Sequence, residues 1–590
     1  MSERPRPSTP SGDSGRLLPR WIGAVLGLVL LVLGVLLLSR PFAAVGTLLF
    51  LLGIAPIAVG ATELVLRQGW TGRFGWVRPL VAVMLIVLGV VILWLPGLTL
   101  EWAAVLLGAA LLALGARDIL TMFAEPVLAG RVAQVLGGLA LIVFGALVLV
   151  WRDVTLLVVG VLFGVWLAVT GFRLLLDAVL HRRRAGEDTR SGAHARSWPR
   201  LVLNAGTLAL AILLAVVGSR LLGTHAPDAF YTAPATVPSK PGKLLRAEPF
   251  TRAIPDGARA WRILYTTTRD DGVPAIASGL VVVPEGVKSP PTIAWAHGTT
   301  GVDVSCAPTL LEKPMTAGAM PNTTEALQHG WAIVSTDYVG LGADAPHPYL
   351  VGQPEARSVL DAVRASRQLP DAEFGDQVVV WGHSQGGGAA LWTGGIAAEY
   401  APELDIVGVA AMAPAANLPS MIAPLADGAA GTLVGPLVLA GYSARYDDVR
   451  VQDYLLPEAR LLYDETIARC WSDPSFVVSV LEAGVIDRPI WSQKPTEGPL
   501  AAHLEANVPT RPIAAPLLIA QGLSDTLVLP EVQQEYVDRL CAAGQQVDYR
   551  TFEGKDHMSV VKDGSPLLGQ LMDWTQDRLD GKPPENTCHS

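Results

Sequence analysis

The sequence predicts two unlike parts in one chain: an all-α membrane segment of seven helices, then a soluble α/β domain with a mostly parallel sheet and an inserted helical cap. Three observations predict this. The 590 residues are 51% hydrophobic but only 16% charged, with a mean hydropathy of +0.40, whereas long soluble domains carry roughly a quarter charged residues. The charge is also divided. Residues 1–222 hold 19 arginines, no lysine and 10 acidic residues, a net of +9, while the remaining 368 hold 25 basic and 43 acidic residues, a net of −18. Beyond residue 240, short β-rich runs alternate with helical patterns, the signature of a sheet covered by helices. An acidic soluble part excludes nucleic-acid binding, which needs a basic face. The same composition excludes disorder and collagen-like repeats.

The polar residues 1–20 read as a cytoplasmic tail, with no cleavable leader. A helix needs about 20 apolar residues to cross a bilayer core, and seven stretches reach or approach that length: 21–38, 42–66, 80–95, 98–114, 127–150, 154–180 and 201–222. The first six repeat. GATE at 60–63 recurs as GARD at 115–118 and more loosely as GFRL at 171–174, at spacings of 55 and 56 residues. Residues 21–180 are therefore three copies of a helix hairpin, and 201–222 is an addition beyond a basic loop, 181–200. In glycine and apolar patterning this part resembles the HdeD-like short-repeat membrane family. Arginine placement sets the orientation. Arg4, Arg6, Arg16 and Arg20 precede the first span, Arg67, Arg73 and Arg78 follow the second, and six arginines follow the sixth, against Arg40 and Arg152 in the alternate loops. The N-terminus is expected in the cytoplasm and residue 223 onward outside, in a multi-pass protein of a bacterial-type plasma membrane. Glu63, Asp118 and Asp177, near cytoplasmic ends, read as interfacial anchors.

Residues 223–240, rich in Gly, Pro, Thr, Ala and Ser, read as a linker, and 241–590 as the α/β domain. An opening hairpin is expected at 261–267 and 277–283, with strands at 292–296, 332–337, 377–381, 406–412, 516–520 and 547–552. Helices are expected at 355–367, 386–400, 531–543 and 567–579. Between 413 and 515 the alternation stops for too long to be a loop, so about 415–510 reads as the cap.

The chemistry is expected at Gly382-His-Ser-Gln-Gly386, where a strand runs straight into a helix. A nucleophile elbow needs glycines two positions either side of its serine because the strained turn leaves no room for side chains. A serine hydroxyl becomes nucleophilic when an imidazole takes its proton, and that imidazole needs a carboxylate to fix its tautomer. In this chain order the acid precedes the histidine. Asp525 follows the strand at 516–520 and His557 follows the strand at 547–552, both at carboxyl ends, where such sheets place their sites. His503 in the cap, His589 at the end of the chain and Asp556 beside His557 are weaker competitors. An oxyanion hole needs two N–H donors. The first is expected from Gln385, the second from Thr299 or Thr300 in the loop His297-Gly-Thr-Thr-Gly301, with His297 itself structural.

Together, AHGTTG at 296–301, CAP at 306–308, TDYVGLG at 336–342, GHSQGG at 382–387 and the cap resemble the secretory lipase family of α/β-hydrolases (lipase A-like) over about 240–585. That resemblance implies a serine-dependent lipase or esterase acting on acyl esters, without cofactor or metal. An acyltransferase or thioesterase with the same triad is the alternative, as is a membrane stress or sensor protein whose domain only binds ligands. The expected partners are a lipid or other ester and the bilayer. All four cysteines lie beyond the seventh span, as disulfides on an oxidising side would require, and none has C-x-x-C spacing for zinc. Three pairings are possible. Cys306–Cys470 would tie the cap to the site rim, and Cys541–Cys588 would hold the Pro-rich tail. The resemblance points the same way for the first pair.

Overall fold

A computed structural model describes residues 20–39, scattered positions between 50 and 64, and 77–94, 96–124, 127–151, 164–176, 197–221 and 226–588 except 427, 487 and 488. The tail before residue 20, most of the expected second span, part of the sixth and nearly all of the basic loop lie outside the described residues. The chain divides into two compact units, Met1–Ala209 and Leu210–Ser590.

In the first unit, helices run over Arg20–Ser39, Val77–Trp94, Pro96–Leu120 and Leu128–Val150, and a further helix begins at Ser197. Among the described residues, three stretches are long and apolar enough to cross a membrane, Ala104–Phe123, Leu128–Val150 and Trp198–Ser219. Ala24–Leu36, Pro79–Trp94 and Gly164–Leu176 are shorter apolar helices. The repeat glycines mark where helices cross. A Cβ on Gly60 would lie 2.4 Å from Ala82 O, on Gly115 2.5 Å from Gly138 O, and on Gly171 2.6 Å from Gly27 O. Seven residues earlier in each copy, Gly53, Gly108 and Gly164 approach the carbonyls of Gly89, Gly145 and Gly34. Each antiparallel pair thus packs through small residues two turns apart, which lets the backbones approach closely. Because Gly164 and Gly171 meet Gly34 and Gly27, the last repeat closes onto the first. Asn204 adds a polar tie, donating to Ala133 O at 2.7 Å.

The second unit is built on a nine-stranded mixed sheet in the order β1-β2-β3-β5-β4-β6-β7-β8-β9. The strands are β1 Leu244–Pro249, β2 Ala258–Thr268, β3 Pro274–Pro284, β4 Thr292–Ala296, β5 Ala332–Thr336, β6 Gln377–His383, β7 Asp405–Met412, β8 Leu517–Gly522 and β9 Asp548–Phe552. β1, β2, β3 and β5 pair antiparallel, and β5 through β9 pair parallel. Strands β4, β5 and β8 are buried at every position and β6 at all but its first, because both faces are covered. Val378 and Val380 of β6 face the side packed with Val359, Leu360 and Val363 of helix Gly352–Ser366, whereas Val379 and Trp381 face the side holding Leu571 and Trp574 of helix Pro566–Leu579. Between β7 and β8 the cap carries helices Leu418–Leu425, Ala429–Arg445, Arg460–Ala468, Phe476–Val485 and Gly498–Ala506.

Two differences from the sequence expectation have physical causes. β1 is an added edge strand whose outer half is exposed, so it shows no alternation to read. Part of the segment expected as linker is packed: Phe230 and Tyr231 are buried, Arg246 donates to Phe230 O, and the Tyr231 hydroxyl donates to Thr309 Oγ1 at 2.9 Å.

Candidate active site

β6 delivers Ser384 at the carboxyl end of the sheet, and helix Gln385–Tyr400 leaves immediately after it. Ser384 has φ +57° and ψ −119°, a conformation disfavoured for side-chain-bearing residues that persists only where the surroundings over-determine it. The surroundings do so here. Ser384 N donates to Met412 O at 3.0 Å, and its carbonyl accepts from Gly388 N and Ala415 N. Glycine at both flanks is a steric demand, since a Cβ on Gly382 would lie 1.9 Å from Gly386 O and one on Gly386 1.9 Å from Ala296 O. Gly386→Ala is therefore expected to lower stability by roughly 3 kcal/mol, read as a drop in urea midpoint. An unchanged midpoint would show that the elbow has slack.

The structure brings Ser384, Asp525 and His557 together from three strand ends. His557 Nε2 lies 2.8 Å from Ser384 Oγ, and its Nδ1 lies 2.8 Å from Asp525 Oδ2. An ionised carboxylate only accepts, so the imidazole proton sits on Nδ1 and the Nε2 lone pair faces the serine hydroxyl. Asp525 is locked in turn: Oδ1 accepts from Leu527 N and Val528 N at 2.8 and 2.9 Å, and Oδ2 also accepts from Gln521 Nε2 at 3.1 Å. The competitors lie elsewhere. Asp556 accepts from Met558 N and Ser559 N, capping the turn that carries His557. His503 stacks on Tyr446 and contacts Asp448, and His589 is outside the described residues.

The loop after β4 lies against the elbow, because Gly386 packs on the carbonyls of Ala296 and His297 and Gly298 packs near His383 O. Thr299 Oγ1 lies 2.8 Å from the Tyr349 hydroxyl, and Thr300 O accepts from Trp471 N of the cap at 2.8 Å. His297 is buried, with ring nitrogens facing Gly298 O and Asp337 O, and burial drives its pKa down to about 4. It is a neutral packing group. Cys306 bonds Cys470, joining this loop region to the cap, and Cys541 bonds Cys588, joining helix Pro530–Ala542 to the tail.

Other residues at the elbow escaped the sequence reading. His383 Nε2 donates to His557 O at 2.9 Å, so the residue before the nucleophile ties down the loop of its base. Burial and the neighbouring His557 drive His383 down to about 3. Its place in the motif was the available signal. Glu355 and His347, which meet the Gln385 side chain, carried none, since their role depends on how a helix turn and a loop approach the elbow.

A probable inactive lipase of Mycobacterium tuberculosis is 27% identical over 60% of this chain and 82% of its own length. Lipase A of Arthroderma benhamiae is 25% identical over 61% of this chain and 81% of its own, and a secreted triacylglycerol lipase of Malassezia globosa is 25% identical over 64% and 86%. Among solved structures, Candida antarctica lipase A in its closed state superposes with a TM-score of 0.52 at 21% identity, covering 62% of this chain and 89% of that one. The fold of the second unit is thus a lipase-like α/β-hydrolase fold with a mixed sheet. Residues 25–84, 80–137 and 136–214 match the family model Short repeat of unknown function (DUF308), and residues 316–587 match the Secretory lipase family model; the chain joins three copies of that short repeat to a segment with the sequence pattern of the secretory lipases.

Proposed function

We propose that this protein is a membrane-anchored serine lipase or esterase that hydrolyses carboxylic esters of acyl chains. The observation that carries the reading is the unbroken hydrogen-bond line from Ser384 through both nitrogens of His557 to Asp525. Ser384 Oγ attacks the ester carbonyl carbon while His557 Nε2 takes its proton. The carbonyl oxygen becomes an oxyanion, held by the N–H of Gln385 and one from the Thr299–Thr300 loop. The tetrahedral adduct then collapses and the alcohol leaves with the proton from Nε2. Water attacks the acyl-serine by the same route, releasing the carboxylic acid and restoring the hydroxyl. Asp525 holds the tautomer and stabilises the imidazolium. Every step uses a group of the chain itself.

Seven helices anchor the enzyme, with the N-terminus cytoplasmic and the hydrolase outside. Support comes from the arginine distribution, the cysteines confined to one end, and helices whose apolar residues are exposed in the isolated chain, such as Leu120, Phe123 and Leu128. Such surfaces suit hydrocarbon.

The name of the Mycobacterium tuberculosis relative favours a second reading, a domain that binds ligands without turnover. The aligned Ser384, His557 and Asp525 speak against it here, since binding alone does not need them. Fluorophosphonate labelling of the full-length protein, together with hydrolysis of a p-nitrophenyl ester series, decides between the two. Labelling and turnover are expected, and a wild type that does neither overturns the enzyme reading. Labelling with transfer to an added alcohol or thiol in place of hydrolysis would mark the acyltransferase alternative. In the cap, Trp471 stacks on Phe476 at 4.8 Å, next to the loop that Trp471 N holds. Trp471→Ala is expected to shift the preferred acyl length while leaving labelling intact. An unchanged chain-length profile would remove this part of the cap from the acyl pocket.

A further inference from the structure

Behind the nucleophile elbow the structure buries three polar side chains that the proposed chemistry leaves unused. Glu355, in the first turn of helix Gly352–Ser366, His347 and Gln385 are each 1% exposed. Gln385 Nε2 donates to Glu355 Oε1 at 2.7 Å and lies 3.0 Å from His347 Nε2. The far nitrogen of His347 faces Val339 O at 2.9 Å. A carbonyl only accepts, so the imidazole carries its proton on Nδ1 and presents Nε2 as an acceptor. That settles which way the Gln385 amide points: one of its hydrogens goes to the carboxyl and the other to the imidazole. Glu355 Oε1 is held from a second side by Leu350 N at 3.0 Å.

We infer that Glu355 and His347 are positioning residues for the oxyanion hole, gripping the Gln385 side chain so that its backbone N–H stays aimed at the oxygen of the acyl group. The inference rests on the hydrolase reading above. Gln385 opens the nucleophile helix, and the first N–H groups of a helix have no intrahelical acceptor, so the direction of this donor is set by how its residue is held. Oxyanion stabilisation depends on donors fixed within a few tenths of an ångström before charge develops.

The grip works with an uncharged Glu355. An ionised carboxyl behind the helix N-terminus would draw on the same positive end that the oxyanion uses and would oppose it as a like charge. Burial pushes Glu355 up to about 8 and drives His347 down to about 3, so both are neutral near pH 7. The other titratable groups facing Glu355 are Tyr338 and Tyr349 from the segment after β5 and Tyr442 from cap helix Ala429–Arg445. Burial raises all three, which leaves Glu355 as the member of this group that changes charge near pH 8.

The test uses the full-length protein and measures kcat and KM for a p-nitrophenyl ester over about pH 6 to 10, with fluorophosphonate labelling of each variant. Wild-type kcat is expected to fall as pH rises through about 8, with KM unmoved. Glu355→Gln, which keeps an acceptor oxygen and cannot ionise, is expected to hold its kcat across that range. Glu355→Ala is expected to lose about tenfold in kcat at unchanged KM, the pattern of an interaction that matters in the transition state alone. If Glu355→Ala does not fold, Glu355→Gln carries the test. An alkaline fall in Glu355→Gln that copies wild type, no fall in wild type, or wild-type kcat in folded Glu355→Ala each overturns the positioning role. A wild type that neither labels nor turns over overturns the hydrolase reading itself, and this inference with it.

Discussion

The Ser384→Ala variant is expected to lose fluorophosphonate labelling completely and to lower kcat by roughly 10⁴–10⁶. The size follows from what remains. With the hydroxyl gone, His557 has no nucleophile to activate, and only the oxyanion donors and substrate binding are left to act on a water molecule. Asp525→Asn is expected to cost about 10⁴ in kcat, for a reason that can be read atom by atom. Both oxygens of Asp525 face donors: Leu527 N and Val528 N on one side, His557 Nδ1 and Gln521 Nε2 on the other. An asparagine must turn its NH₂ toward one of these sides. Facing the imidazole, it forces the proton onto Nε2 and removes the acceptor for the serine. Facing the backbone, it sets three donors against one another. Labelling by gel fluorescence and turnover on a short ester check both variants. Full activity in Ser384→Ala would refute the serine mechanism outright, and wild-type rates in Asp525→Asn would remove Asp525 from it.

The sheet was legible because fully buried strands contain runs of apolar residues that end near glycine turns. Val378–Val380 before Gly382 and Leu517–Ala520 before Gly522 are of this kind. β1 was not legible because Leu244–Pro249 alternates nothing and buries little. The same logic divides the site. Ser384, Asp525 and His557 each follow the end of a strand, and strand ends can be located one at a time from local pattern. The grip of Glu355 and His347 on Gln385 joins a helix turn, a loop and the elbow across long gaps in sequence, so no local pattern encodes it. In the first unit the repeated glycines were readable as a period of 55 and 56 residues. Their partners Ala82, Gly138 and Gly27 could be found only when the helices were seen side by side. The aromatic pair Phe230 and Tyr231 sat in a stretch whose Pro, Thr and Ala content reads as linker, and its partners are Arg246 on the next strand and Thr309, 78 residues on from Tyr231.

Removal of the Cys306–Cys470 bond, by Cys306→Ala with Cys470→Ala, is expected to cost more than removal of Cys541–Cys588. The bonds close loops of 164 and 47 residues, for which the chain-entropy relation gives about 5 and about 4 kcal/mol. Native contacts widen that gap. The first bond lies in an apolar cluster with Leu264, Leu310 and Leu341, and Gly301 is wrapped so tightly around it that a Cβ there would lie 2.6 Å from Cys306 Sγ. Next to it, Trp471 N holds Thr300 O. Losing this bond therefore loosens the loop proposed to supply the second oxyanion donor, and kcat is expected to fall together with the urea midpoint. Losing Cys541–Cys588 frees a tail that is otherwise held mainly through Asn586 and Thr587 against Val547, with little consequence for turnover. Equal midpoints and equal kcat in the two double variants would refute this ranking. Alkylation of the native protein without reductant tests the compartment, because these bonds form on an oxidising side of the membrane. Four protected cysteines are expected, and four free thiols would overturn both the crosslinks and the extracytoplasmic placement that the arginine distribution supports.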